Sequence, residues 1–387
     1  MKIAVLKETL PGEKRVALVP ESVSKLVKAG HVVIIEQSAG ALAYFADHLY
    51  EAAGANIATD RVAMCAAADL VVKVRLAPQE SAEIALLKEG CAFIALLQTL
   101  YNPQIAQTLA NRHITSFSMD AIPRIARAQN MDVLSSMSSL NGYKAVLIAA
   151  NSLGKYLPLL MTAAGTVPPS RGLILGAGVA GLQAIATARR LGAVVEVFDV
   201  RPAVKEQVES LGATFIEVDY GQPTEDKGGY AKALGADAQE RQQAKIHERL
   251  RVADFVITTA LVPGRKAPIL ITKEMVADMR PGSVIVDLAA ETGGNCELTE
   301  PGATVVKHEI TIHGPENLPS EMPTQASLLF SRNMANLLML LLQDGQIKLN
   351  FEDAIISECC ITHAGEIRHE RTKALLQVPT VPASPDL

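Results

Sequence analysis

Residues 173–184 read LILGAGVAGLQA, and residues 195–201 follow as VEVFDVR. A short apolar run, a turn spaced GxGxxG, an amphipathic stretch and a second apolar run ending in aspartate make one βαβ unit. Gly176 allows the tight turn, Gly178 lets backbone approach a pyrophosphate, and Gly181 permits close packing of helix on strand. Val179 and Ala180 sit within the turn that delivers helix N–H groups to phosphate oxygens. Asp199 ends the next strand, where a carboxylate can take both hydroxyls of an adenosine ribose, and Val200 and Arg201 follow it. The charge of Asp199 repels a 2′-phosphate and favours NAD(H), whereas Arg201 is the residue type that accommodates NADP(H). Asp199 weighs more because it occupies the hydroxyl-facing position. The competing reading is a glycine turn that only packs a helix on a sheet.

Outward from this unit, strand-like runs recur at VVEVFD, TFIEVD, DFVITTA, SVIVDLA and ITIHG, which with LILG make six, a full dinucleotide-binding count. The end of DFVITTALVPG, around Ala260 and Leu261, is a carboxyl edge whose backbone could line the nicotinamide half. Towards the N-terminus KIAVL, HVVIIE, ADLVVKV, CAFIALL and HITSFSM alternate with amphipathic stretches, again a parallel doubly wound pattern but without a glycine fingerprint. A helical region at about 138–160 leads to Pro168-Pro169, and ASLLFSRNMANLLMLLLQD, from about 324, reads as one long apolar helix returning to the first domain. The expected class is α/β, with two Rossmann-like domains and a cleft between them. The first spans 1–137 plus 322–370, the second 138–321, and 371–387 is a Pro-rich flexible tail. The nicotinamide should face the cleft, towards loops of the first domain.

Composition closes off several functions. With 49% hydrophobic and 20% charged residues over 387, the chain can bury large cores. A net charge of −5, aromatics at 4% and no Trp argue against nucleic acid. The five cysteines (Cys65, Cys91, Cys296, Cys359, Cys360) have no CxxC spacing and the histidines no HExxH or HxxxH, so no metal site is expected. No apolar run approaches the ~20 residues that cross a bilayer. The chain opens MKIAVLKE, already a strand, so a soluble, cytoplasmic protein without direct membrane insertion is expected.

Two segments carry loop chemistry. Residues 122–136, IPRIARAQNMDVLSS, gather Arg124, Arg127, Gln129, Asp132, Ser135 and Ser136 ahead of a helix. Asp132 or Ser135 could simply cap that helix and the arginines could be solvated. Residues 219–235, DYGQPTEDKGGYAKALG, form a long polar loop of the length that is usually functional.

PRIARAQNMDVLSSMSSLNGYKAV, MTAAGTVPPSRGLILGAGVAGLQAIATARRLGA, RPAVKEQVESLGA, GGYAKALG, ITTALVPG and SVIVDLAAETGGNC closely resemble the NAD(H)-binding component of proton-translocating nicotinamide nucleotide transhydrogenase. The likeness runs from Lys2 to about residue 370. It implies a loop around the nicotinamide that falls on Arg124, Gln129, Asp132 and Ser135, with Arg127 beside it, and Gln129 and Asp132 acting on the reacting ring. It also implies a lid, Gly229 and Tyr230, folding over the nucleotide. One local departure stands at Arg265-Lys266, where the family usually has Lys-Pro.

The start KETLPGEKRVALVPE also resembles alanine dehydrogenase, the alternative reading, in which Arg15 and Lys73 would hold substrate carboxylate and carbonyl. Oxidative deamination moves protons and needs a general acid/base. That family supplies a histidine after the strand matching CAFIALLQTL, and here Leu96, Leu97 and Gln98 stand without one. Hydride passage between two nicotinamides exchanges no proton with protein and needs the carbons about 3–3.5 Å apart, aligned and dry. One fingerprint means that the second nucleotide belongs to another chain. The implied partners are an NADP(H)-binding subunit and a membrane-spanning proton-channel subunit, with a homodimer expected and attachment to the inner membrane only through partners.

Overall fold

The computed structural model describes residues 1–76, 81–218, 235–262 and 264–377. It divides into a first unit, Met1–Met137 with Pro319–Leu387, and a second, Ser138–Leu318.

In the first unit the apolar runs become β1 (Lys2–Val5), β2 (Val32–Glu36), β3 (Asn56–Ala58), β4 (Leu70–Arg75), β5 (Ala92–Leu96) and β6 (Thr115–Ser118). They lie parallel in the order β3-β2-β1-β4-β5-β6. Every residue of β5 is buried, as in sheets covered on both faces, which is why these strands read as unbroken apolar runs.

The long helix expected at about 138–160 instead spans Val133–Ser152. Gly154 and Pro158 stop it, since one is conformationally loose and the other removes a donor. A hairpin, β7 (Leu160–Thr162) and β8 (Gly165–Val167), occupies the rest, turning at Gly165 with φ +115°.

The second unit continues with β9 (Arg171–Leu175), β10 (Val194–Phe198), β11 (Thr214–Phe215), β12 (Phe255–Thr258), β13 (Val284–Asp287), β14 (Thr304–Lys307) and β15 (Ile310–His313). Their order is β11-β10-β9-β12-β13-β15-β14, parallel except for the edge strand β14. Both units therefore repeat the doubly wound 3-2-1-4-5-6 order. The six expected strands are present, TFIEVD shortened to two paired residues, and β14 is an addition.

The apolar helix runs Pro323–Leu341, with Pro in its first turn, where a missing N–H costs nothing. Its buried Ser327 and Ser331 hydroxyls accept the N–H groups of Val16 and Val19 at 3.0 and 2.9 Å. Those serines satisfy a buried non-strand backbone segment that an all-leucine helix would orphan. A small hairpin follows, β16 (Leu342–Gln343) with β17 (Gln346–Ile347). Then β18 (Cys360–His363) and β19 (Glu366–Ile367) extend the β6 edge antiparallel. The expected flexible tail begins instead as a helix, Glu370–Gln377. Its Thr372 is buried, 2.7 Å from both Thr99 Oγ1 and His369 Nδ1, and these contacts tie the segment down. No described helix is long and apolar enough to cross a membrane.

Candidate functional site

The three fingerprint glycines have three different physical causes. Gly176 has φ +105°, and a Cβ there would lie 2.4 Å from Thr259 Oγ1. A Cβ on Gly181 would lie 1.9 Å from the Gly176 carbonyl oxygen, so this position is closed by helix–strand contact. Gly178 has ordinary φ of −75°, and a Cβ there would meet nothing within 4 Å. The protein itself gives no reason for glycine at 178, and a ligand approaching the backbone does.

Gly178 also precedes the helix Val179–Arg190 and gives it no side-chain cap, so the first turn, with Val179 exposed, presents N–H groups without a competing protein oxygen. The second helix beneath it approaches closely, because a Cβ on Gly142 would lie 2.0 Å from the Ala180 carbonyl oxygen. These residues fit a dinucleotide pyrophosphate.

Asp199 is well placed beside this turn but engaged. Its carboxylate accepts the Ala177 N–H at 2.7 Å, which fixes the glycine turn to the end of β10. It also accepts the Arg201 backbone N–H, Nε and Nη2, each at 2.9 Å. The sequence reading assigned this carboxylate to ribose hydroxyls and left Arg201 as a competing signal. Here the guanidinium covers both oxygens and must swing aside before a diol can take them. Val200 packs on the core beneath β10.

The segment after β12 is bound to the same turn, since Thr259 N–H donates to the Leu175 carbonyl at 2.8 Å and Thr259 Oγ1 to that of Gly176 at 3.2 Å. Beyond it, Ala260 N–H donates to Asn295 Oδ1 at 3.0 Å, while Asn295 Nδ2 donates to the carbonyls of Ala260 and Pro268 at 2.9 and 2.8 Å. The expected backbone contact at Ala260 thus has its N–H already used. Leu261, 51% exposed, is what the segment offers to a ligand. Behind Asn295 lies Asp287, fully buried at the end of β13. Its carboxylate accepts the N–H groups of Ala289, Asn295 and Cys296 and the hydroxyls of Thr258 and Thr299 at 2.7 to 3.0 Å. Thr259, Asp287 and Asn295 escaped the sequence reading, although an aspartate closing VIVD and an asparagine after Gly293-Gly294 were the visible signals.

In the first unit, the loop Ala126–Met131 is a 3-10 turn whose Ala128 and Met131 are buried while Arg124 and Gln129 are exposed. Asn333 and Asn336 on the helix Pro323–Leu341 both donate to the Asn130 carbonyl, at 2.9 and 2.8 Å. Asp132 accepts the Ser135 N–H at 2.9 Å and the Ser135 hydroxyl at 2.6 Å, so the capping reading of this pair holds in the structure. Ser136 turns its hydroxyl back to the Asp132 carbonyl at 3.1 Å. Arg127 makes a forked pair with Asp353 at 2.8 and 2.5 Å, and Asp353 in turn caps the helix Ala354–Cys359. That pair turns Arg127 from a nucleotide contact into an anchor of the loop. Gly229 and Tyr230 lie outside the described residues.

Arg15 and Lys73 are buried and paired. Arg15 holds Glu13 at 2.8 and 2.6 Å; burial pushes that carboxyl up, but the Arg15 hydrogen bonds and charge outweigh it and bring it to about 2. The Lys73 ammonium lies on Glu83 and on Thr9 Oγ1, the latter at 3.2 Å. Glu83 also takes Arg61 at 2.5 Å. Beside Lys73, burial pushes the Glu8 carboxyl up to about 8 against the pull of that ammonium and of the Val74 N–H. At the end of β5, Leu97 and Gln98 donate their N–H groups to Ser118 Oγ and Asp120 Oδ1 at 3.0 and 3.2 Å. Among the described residues no group of three or more His, Cys, Asp or Glu side chains could hold a metal ion.

The family model for the alanine dehydrogenase/PNT N-terminal domain matches residues 4–141, and that for the C-terminal domain matches residues 145–370. The chain is 49% identical over 376 residues to an NAD(P) transhydrogenase subunit alpha chain of Rhodospirillum rubrum, covering 95% of this chain and 98% of that one. A solved transhydrogenase from Sinorhizobium meliloti superposes with a TM-score of 0.86 at 43% identity, over 95% of this chain and 100% of that one. A solved L-alanine dehydrogenase superposes with a TM-score of 0.82 at 28% identity, over 97% and 99%.

Proposed function

The chain belongs to the alanine dehydrogenase/PNT family, and from that premise we propose that it is the NAD(H)-binding subunit of a proton-translocating NAD(P) transhydrogenase. Reduced nicotinamide supplies a hydride at C4, and the acceptor is NADP+ held by an NADP(H)-binding partner subunit.

The residues of this chain have binding and orienting work. The turn Gly176–Gly181 and the helix start at Val179 and Ala180 hold the pyrophosphate, Asp199 takes the adenosine ribose once Arg201 swings away, and Ala260 and Leu261 line the nicotinamide half. Gln129 and Asp132 set the ring's orientation, with Arg124 and Ser135 beside them. The hydrogen bonds within Asp132–Ser135 and the anchors at Asn130 and Arg127 keep that loop stiff, which suits orientation of a ring. Gly229 and Tyr230 cover the nucleotide in this reading. The protein works as a homodimer, and a membrane-spanning proton-channel subunit brings it to the inner membrane.

One observation separates this from amino-acid oxidation. The end of β5 carries Leu96-Leu97-Gln98 and no histidine, while the Lys73 ammonium that would polarise a carbonyl is held on Glu83. A deaminase needs a proton carrier there, whereas nicotinamide-to-nicotinamide exchange does not.

The test uses NADH deuterated on the transferred face, the purified chain and an NADP(H)-binding partner. Deuterium is expected on the acceptor ring, with no NADH formed from L-alanine and NAD+. Label washed into water, or alanine-dependent NADH formation, overturns the proposal.

A further inference from the structure

Asn295 is fully buried, and each of its hydrogen-bonding groups is used. Its Oδ1 accepts the Ala260 N–H, and its Nδ2 donates to the carbonyls of Ala260 and Pro268. Its backbone N–H donates to Asp287, and its carbonyl accepts the N–H groups of Leu270 and Ile271 at 2.8 and 3.0 Å. One carboxamide thus grips both polar edges of a single peptide residue at the carboxyl end of β12. Only an amide supplies an acceptor and two donors at that reach, and the donors and acceptors around it fix which atom is nitrogen.

Ala260 is a particular place to grip. It follows Thr259, whose hydroxyl is bonded to the Gly176 carbonyl, and it precedes Leu261 and Val262, which are 51% and 38% exposed. The β12 edge neighbours β9, and ligands of doubly wound sheets lie beyond these carboxyl ends. We infer that Asn295 is a positioning residue: through the Ala260 peptide it sets the wall against which the nicotinamide half of the dinucleotide rests, leaving the adenosine half to the Gly176–Asp199 turn. This deepens the proposed function and rests on NADH binding at that turn.

Asn295→Ala leaves the Ala260 and Pro268 carbonyls without a donor, and Asn295→Asp turns a carboxylate oxygen towards them. The experiment compares NADH with ADP-ribose, which lacks the nicotinamide, by titration calorimetry on the full chain. For both variants NADH affinity is expected to fall about tenfold, as for a lost buried hydrogen-bonding arrangement. ADP-ribose affinity should stay within about twofold of the parent. Equal losses for both ligands, or none, overturn the inference by making Asn295 a general support. Should the variants not fold, amide hydrogen exchange on the parent decides. NADH must slow exchange at Ala260–Leu261 beyond what ADP-ribose does, and equal protection overturns the inference. A parent that binds ADP-ribose but not NADH defeats the inference, and a parent that binds neither defeats the functional reading with it.

Discussion

Asp199 and Arg201 show how two residues two positions apart set both affinity and selectivity. With both carboxylate oxygens under the Arg201 guanidinium, the site spends part of its ribose affinity on breaking an internal pair. Asp199→Ala is expected to weaken NADH roughly tenfold to a hundredfold, the range for hydrogen bonds to a charged group. Arg201→Ala should leave NADH binding within about threefold while lowering NADPH affinity about tenfold, because an uncompensated carboxylate then meets the 2′-phosphate. Equilibrium dialysis with both nucleotides measures this. An unchanged NADH-to-NADPH ratio in Arg201→Ala would rule out the guanidinium as the screen.

Two glycines on neighbouring helices behave oppositely under the same change. Gly142→Ala drives a methyl group to 2.0 Å from the Ala180 carbonyl oxygen, where only backbone movement can relieve the overlap. A cost of about 1–3 kcal/mol is expected, seen as a lower melting temperature. Gly178→Ala meets nothing within 4 Å and should melt like the parent, yet its methyl group stands where phosphate approaches, so NADH binding should collapse. Equal melting temperatures together with equal NADH affinities for parent and Gly178→Ala would mean that no ligand approaches this turn.

Across the whole molecule, the largest titration effects lie in the first unit, whose sheet repeats the second unit's strand order without its glycine turn. Burial holds Glu8 protonated up to about pH 8, against an ordinary value of 4.5, so the folded state binds the extra proton. Its contribution to stability is complete below about 4.5 and is lost as pH rises from there through about 8. Glu13 runs the other way: at about 2 it stabilises the fold above 4.5 and loses that contribution as pH falls towards 2. Glu8→Gln should therefore flatten the decline in melting temperature between pH 5 and pH 8, with the acid limb unchanged. A parallel decline in parent and variant would show that Glu8 is not the group responsible.

The sequence by itself determined the central strands, the glycine turn and the absence of a proton carrier after β5. Buried parallel strands must be continuously apolar, a φ of +105° demands glycine, and a missing histidine is a fact of composition. Tertiary structure alone decided the strands β3, β14, β18 and β19. They are short or at an edge, their apolar signal is weak, and a partner strand completes them. It also decided that Arg127 faces Asp353 and that Asn295 clasps Ala260, because contacts between positions far apart in the chain leave no periodicity to read. Local pattern encodes which face of an element is buried; which polar group meets which is settled only when the elements have packed.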